Sequence, residues 1–256
     1  MRILVINLAR ADERRRHMER QLSAFGLAFE RVEAIDGRNL AAADRALVDH
    51  DRRRRITPYP LSDNEIGCWL SHRRALSDAA ASGIPMTAIL EDDADLSPDF
   101  PRVLAALDVQ KPNFDFIFLH RKFKQGETFL RGLQLLPDMN MGRVGPAHMG
   151  AIGYVVSAAG AQKFLAYASR FAHAVDKEIH RYWANGLDIR GLERPVVTHA
   201  DRGRSFIEET RGQERPAVRA RYPDADLIYW RFQRGLTRFR DSVDKRRAWD
   251  EWVKKG

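Results

Sequence analysis

Three consecutive carboxylates, Glu91-Asp92-Asp93, follow the apolar run Ala88-Ile89-Leu90. A buried strand that ends in acids delivers charge to its carboxyl end, the edge where open α/β sheets bind ligands. Side chains alternate along an extended segment, so Glu91 and Asp93 are expected on one side. Two carboxylates on one side suit a hard divalent cation such as Mn²⁺ or Mg²⁺, and Mg²⁺ is usually shared with substrate phosphates. The alternative is a solvated turn in which Asp93 or Asp95 caps the next helix. About twenty residues earlier, Glu65-Ile66-Gly67-Cys68-Trp69-Leu70-Ser71-His72 forms a second cluster. On a helix, Gly67, Ser71 and Arg74 share a face, and Ser71 with His72 offers a hydrogen-bonding shelf. A glycine inside a helix costs about 1 kcal/mol, so Gly67 needs a packing or ligand-approach reason. Plain helix packing with a satisfied polar pair is the competing account.

The elements that must position these residues alternate between strand and helix. Ile3 to Ile6 reads as a buried strand, residues 12–25 as an arginine-rich helix stopped by Gly26, and residues 29–35 as a second strand running into the Asp36-Gly37 turn. This is a β-α-β opening with a parallel pair. Residues 40–55 read as one helix. Ser62 three residues before Glu65 is a capping box that starts a helix reaching about Ser82. Strands follow at 86–90, 114–119, 151–156 and 195–198, with helices at 98–107, 157–169 and 176–183, while 120–147 reads as loop-rich. The order indicates an α/β fold with a mainly parallel central sheet and a helical carboxyl-terminal extension.

Composition narrows the function classes. The chain has 256 residues, a formal charge of +8 and one cysteine, Cys68. No apolar run approaches the roughly 20 residues of a membrane-spanning helix. A lone cysteine excludes an internal disulfide framework and a cysteine-based zinc cluster. The amino terminus is too soon charged for a secretory signal, which points to the cytoplasm. Residues 1–210 hold 30 basic and 28 acidic side chains, whereas residues 211–256 hold 13 and 7. The nearly neutral body and the lack of zinc-finger, RNP or helix-turn-helix patterns argue against nucleic acid as a partner.

Several motifs stand in order: Ile6-Asn7-Leu8 with Arg10 and Arg14, Ala34-Ile35-Asp36-Gly37, Ser62 through Glu65-Ile66-Gly67-Cys68 to Ser71-His72, Leu90-Glu91-Asp92-Asp93, Gly153-Tyr154 through Gly160-Ala161, and Val175-Asp176. The pattern resembles glycosyltransferase family 25, the lipooligosaccharide galactosyltransferases and the related domain of collagen galactosyltransferases, over about residues 1–205. The resemblance implies a GT-A type nucleotide-sugar fold over residues 1–210. It implies inverting transfer from a UDP-sugar, commonly UDP-galactose, to a hydroxyl of a saccharide or lipid-linked glycan acceptor. It also implies a metal, Mn²⁺ or Mg²⁺, on Glu91 and Asp93. Donor contacts are expected from Asn7, Leu8, Arg10, Arg14, Asp36, Gly37, Ser71, His72 and Asp92. Asp176 matches a family position on the acceptor side and is the candidate base, with a helix N-cap as its alternative role. His199 is a weaker candidate to complete the metal shell. Ser205-Phe206-Ile207, with Arg202, Arg204 and Arg211, resembles a late segment that closes over the diphosphate.

Residues 211–256 form a separate basic extension. Ile228, Phe232, Leu236, Phe239 and Val243 make a helical stripe, with arginines on much of the rest and Trp230, Trp249 and Trp252 nearby. Two placements follow. The stripe packs on the catalytic body with the arginines solvated, or the helix is an element for an anionic membrane surface on the inner face of the plasma membrane.

Overall fold

The computed structural model describes residues 1–57, 59–110, 113–120, 129–144, 150–200 and 224–254, without the side chains of 131, 144 and 224–231. The expectations for Arg202, Arg204, Ser205-Phe206-Ile207, Arg211, Ile228 and Trp230 therefore lie outside the described residues or side chains.

The chain opens with β1 (Arg2–Asn7), α1 (Asp12–Ala24) and β2 (Glu30–Glu33), and β1 pairs parallel with β2 as expected. A 3-10 turn at Gly37–Asn39 follows, capped by Asp36, whose side chain accepts from the Arg38 backbone N–H. Residues 40–55 do not form one helix. They divide into α2 (Ala42–Ala46) and α3 (His50–Ile56). The break has a tertiary cause: Val48 is buried and bridges to Phe171, Asp49 N–H donates to Phe171 O at 2.8 Å, and the Asp49 carboxylate caps α3.

α4 (Asp63–Ala81) starts at the predicted capping box. Glu65 N–H donates to Ser62 Oγ at 3.2 Å, and Ser62 N–H donates back to Glu65 Oε2 at 2.9 Å. β3 (Met86–Glu91) runs parallel to β1 and turns at Asp92-Asp93 into the short β4 (Ala94–Leu96). Then come α5 (Phe100–Gln110), β5 (Phe116–Phe118), β6 (Phe129–Leu136) and β7 (Met139–Val144). The last two form an antiparallel hairpin where loop was expected. Two register shifts in that hairpin blur the alternation that would mark it in the sequence. β8 (Gly153–Ser157), α6 (Ala158–Tyr167), α7 (Val175–Ile179), α8 (Tyr182–Asn185), β9 (Ile189–Leu192), β10 (Val197–His199) and α9 (Asp224–Lys254) complete the described chain.

Eight strands form one mixed sheet in the order β2-β1-β3-β8-β5-β9-β7-β6, and β4 pairs with β10 as a separate antiparallel ribbon. Alternate residues of the central strands feed two cores. Leu4, Ile6, Ile89, Phe116 and Tyr154 face one that includes Trp69 of α4 and Phe164 of α6. Ile3, Val5, Ala88, Leu90 and Ile117 face another that includes Met18 and Leu22 of α1 and Phe100 of α5. Both faces of the sheet are covered, which explains the near-continuous apolar strands. The fold is α/β, as the sequence order indicated.

Candidate active site

Parallel pairing of β1 with β3 sets Ile6 opposite Glu91, so both carboxyl ends open at the same edge. The neighbours Asn7 and Asp92 then meet: Asn7 Nδ2 donates to Asp92 Oδ2 at 2.7 Å and to Ala11 O at 3.1 Å. Arg31 Nε donates to Asn7 Oδ1 at 3.1 Å, so the amide orientation is fixed from both ends. At this edge lies an open cleft. Among its lining residues are Leu8, Arg10, Arg14, Asp36, Gly37, Ser71, His72, Glu91, Asp92 and Asp93. Sequence segments up to 85 residues apart thus converge on one space. Asn7 sits behind it, orienting Asp92.

The acidic cluster converges by a turn rather than by strand alternation alone. Because Asp92 and Asp93 lie in the turn after β3, all three carboxylates reach the cleft. Arg14 of α1 faces them, with Nη1 at 3.2 Å from Asp92 Oδ1 and 3.5 Å from Asp93 Oδ2. Neither acid caps a helix, and Asp95 instead bonds His17 at 2.7 Å. Burial pushes the Asp93 carboxyl up to about 7, with the Glu91 charge adding to the rise and Arg14 opposing it. Asp93 Oδ1 is buried and has no hydrogen-bond partner among the described residues. Burial also raises the Asp92 carboxyl, against the pull of Asn7 and Arg14. Burial acts on Glu91 in the same sense, but the hydrogen bond and charge of His72, with His199 and Arg14, hold it below its ordinary value.

α4 forms the opposite wall. His72 is fully buried, with Nε2 at 3.1 Å from Glu91 Oε1 and Nδ1 at 3.0 Å from Tyr154 Oη. Ser71 Oγ donates to Gly67 O at 2.6 Å and accepts from the Ile35 N–H at 2.8 Å, which ties the helix to the loop after β2. Gly67 owes its place to close packing: a Cβ there would lie 2.6 Å from Ile35 O and 2.9 Å from Gly37 N. Gly37 is similarly pressed on Asp63 and Asn64. Asp36, at the far end of the cleft, accepts from Arg10 Nε at 2.9 Å and from Arg38. Arg38 and then Arg10 hold its carboxyl well below the usual carboxylate range.

Asp176 is in the first turn of α7 and does not line the cleft, although its charge helps raise the Cys68 thiol, which burial already pushes far up. The N-cap of α7 is Ala174, so the capping alternative for Asp176 does not apply. α7 is held by Glu178, a fully buried carboxylate that pairs with Arg52 Nη1 at 2.9 Å and bonds His173. His199 is exposed on β10, opposite Ala94 in the β4–β10 ribbon, and the next residue, Ala200, donates its N–H to Asp93 O at 2.8 Å.

Two donor sets for a cation share Glu91. The ligand atoms of Cys68, His72 and Glu91 lie within 4.8 Å of one another. Both nitrogens of His72 already have partners, and burial keeps the Cys68 thiol protonated, so this set is poorly prepared to bind metal. Glu91 and Asp93 offer oxygen donors, one of them the unpartnered Asp93 Oδ1, and fit a hard divalent ion. Tyr154 and Cys68 are functional neighbours that residue type alone did not single out. The Gly153-Tyr154 motif held the only signal for Tyr154.

A cleft at the ends of parallel strands, with a clustered acidic strand end and facing arginines, suits an anionic ligand held together with a cation. The chain belongs to glycosyltransferase family 25: the model of that family, described as "LPS biosynthesis protein", matches residues 1–179. It is similar to "Procollagen galactosyltransferase 1" of Danio rerio, 31% identical over 171 residues, which cover 64% of this chain and 28% of that protein. It is similar also to "Inactive glycosyltransferase 25 family member 3" of Mus musculus, 30% identical over 172 residues, covering 64% and 28% respectively. The matched segment therefore spans little more than a quarter of the length of those relatives. Among solved structures, a glycosyltransferase involved in glycosylation of the major capsid of PBCV-1 gives a TM-score of 0.32 at 14% identity, covering 62% of this chain and 60% of that one. The family assignment rests on the sequence match.

Proposed function

We propose that the protein is an inverting, metal-dependent hexosyltransferase that moves a sugar, with galactose the first to test, from a UDP-sugar to a hydroxyl of a saccharide or lipid-linked glycan. Relatives of nearly equal similarity include both a galactosyltransferase and a protein named inactive, so the case for activity rests on the cleft. The observation that carries it is the meeting of Glu91, Asp92 and Asp93 with Arg10 and Arg14 in one cleft, where Asp93 Oδ1 is buried without a partner. A nucleoside diphosphate brings negative charge that arginines bind well, and a divalent ion lets that charge approach carboxylates.

In this reading Glu91 and Asp93 hold Mn²⁺ or Mg²⁺, and His72 orients Glu91 from behind. The ion would supply Lewis-acid stabilisation of the charge that develops on the departing diphosphate. Arg10 and Arg14 bind the diphosphate side of the donor. Asp36, kept ionised by its two arginines, accepts hydrogen bonds from nucleotide hydroxyls, and the Gly37 turn lets the backbone come close. Asp176 takes the proton of the acceptor hydroxyl during in-line attack.

A thermal-shift panel of UDP-galactose, UDP-glucose and UDP-N-acetylglucosamine, with and without Mn²⁺, tests the reading. Metal-dependent stabilisation by one UDP-sugar, lost in Glu91→Ala and Asp93→Ala, is expected. Stabilisation by another sugar nucleotide would keep the chemistry and change the donor. Absence of any UDP-sugar effect would favour a non-enzymatic role.

A further inference from the structure

The sequence stripe of Phe232, Leu236, Phe239 and Val243 on α9 leaves two placements, against the body or toward a membrane surface. The structure docks the opposite face. Asp241 accepts from Arg181 Nη1 at 2.7 Å and Nη2 at 3.0 Å, and Trp252 stacks on Tyr182 with ring centres 4.1 Å apart. Arg143 lies 4.7 Å over the Trp252 ring, Lys245 sits 5.2 Å over Trp183, and Ala248 packs against the core. At 3.6 residues per turn, positions 241, 245, 248 and 252 lie on the side away from 232, 236, 239 and 243. Phe232 is accordingly 63% exposed, Leu236 41% and Phe239 68%. Three exposed apolar side chains on successive turns of an anchored helix, with arginines beside them, form the kind of patch that marks an interaction surface.

We propose that this outward face of α9 is a docking surface for an anionic phospholipid bilayer. The charge around the stripe favours that occupant. Residues 227–240 contain four arginines and no acidic residue. Arg238 and Arg240 are exposed beside the stripe, whereas residues 241–254 hold four basic and four acidic side chains, so the basic character belongs to the first half of the helix. A second copy of the chain is disfavoured, because pairing the same face sets arginine against arginine. Phe232 and Phe239 also expose roughly 100 to 150 Å² apiece and Leu236 less, together short of the ~800 Å² that a stable interface needs from each partner. An anionic surface accepts both parts: aromatic rings enter the acyl boundary and guanidinium groups meet phosphate. No helix among the described residues is long and apolar enough to cross a membrane, so the association would be peripheral. The inference does not depend on the donor, the metal or the base.

Co-sedimentation of the full chain with vesicles tests it, using 30% phosphatidylglycerol in phosphatidylcholine against pure phosphatidylcholine. Binding to the anionic vesicles is expected to exceed binding to neutral ones by about tenfold or more and to weaken in 0.5 M salt. The double variant Phe232→Ser, Phe239→Ser should lose most of that binding while keeping the wild-type melting temperature, since both side chains are exposed. Failure of the wild type to bind anionic vesicles would overturn the proposal. So would equal binding by the double variant. A concentration-dependent dimer abolished by the same variant, with no vesicle binding, would assign the face to self-association instead.

Discussion

The ring of His72 lies between Glu91 Oε1, 3.1 Å from Nε2, and Tyr154 Oη, 3.0 Å from Nδ1. An ionised Glu91 only accepts, so Nε2 must carry the proton it receives. Nδ1 has the Tyr154 hydroxyl as its partner, a group that burial holds far above its ordinary pKa. Partners on both nitrogens fix the ring orientation, which serves to point a carboxylate into the cleft.

His72→Ala should therefore act through Glu91. The variant leaves a buried carboxylate without its donor, and loss of such a supporting group costs about 10–100-fold in metal affinity. Mn²⁺ titration of the UDP-dependent melting shift should show that loss, and Tyr154→Phe should show a smaller one. Unchanged Mn²⁺ affinity in both would mean that Glu91 is not held for a metal.

Gly67→Ala should disturb the nucleotide end of the cleft. The added methyl would meet Ile35 O and Gly37 N, backbone atoms that yield only if the Asp36-Gly37 turn moves. Overpacking of this kind costs about 1–3 kcal/mol of stability. A lower melting temperature with weaker UDP binding is expected, while the same substitution at the unobstructed Gly235 should leave UDP binding alone. A Gly67→Ala protein of wild-type stability would contradict the packing.

Much of this site was legible because its residues end or cap strong local signals. The Ser62–Glu65 capping box fixes where α4 starts, and that phase places Ser71 and His72 on the wall. The acidic run after an apolar strand marks the sheet edge. What was not legible depended on distant contacts. Residues 40–55 lose their single helix to the pairing of Val48 with Phe171, more than a hundred positions away. The β6–β7 hairpin hides behind its irregular register. The docked face of α9 could not be read from its stripe, because Asp241, Lys245 and Trp252 pair with Arg181, Trp183 and Tyr182, and polar or aromatic complementarity leaves no periodic trace.

The docking of α9 should weaken in acid. Burial alone would raise the Asp241 carboxyl, but its bonds to Arg181 and Trp183 and the charge of His173 hold it below its ordinary value. A carboxyl depressed in the folded state contributes stability that is complete above the unfolded pKa of about 3.9 and is lost as pH falls through the lower folded value. Lys245, on the same side of the helix, favours the ionised form as well. Tryptophan fluorescence followed from pH 7 to pH 2.5 should report undocking in that acid range, through Trp183 and Trp252. Asp241→Asn should start less stable at pH 7 and lose less on acidification. A wild-type-like acid dependence in the variant would remove Asp241 as the cause.

Asp176 gives the sharpest separation of binding from chemistry. It lies on a short helix fixed by Glu178, Arg52 and His173, and Asn185 Nδ2 donates to the carbonyls of Glu178 and Ile179 at 3.0 and 2.8 Å. Its backbone is thus rigid, yet its carboxylate neither caps α7 nor lines the donor cleft. To act as base it must reach the acceptor hydroxyl that attacks the donor, so the acceptor would have to lie between Asp176 and the cleft. Asp176→Asn keeps the shape and removes the proton acceptor, so turnover should fall by about 10²–10⁴-fold. UDP-sugar binding with Mn²⁺ should persist, because the cleft residues are untouched. Glu178→Gln, which loosens α7 without altering Asp176, should lower the melting temperature and reduce turnover less. Turnover of Asp176→Asn near that of the wild type, with the donor still bound, would transfer the base role to another residue and leave the donor cleft as described.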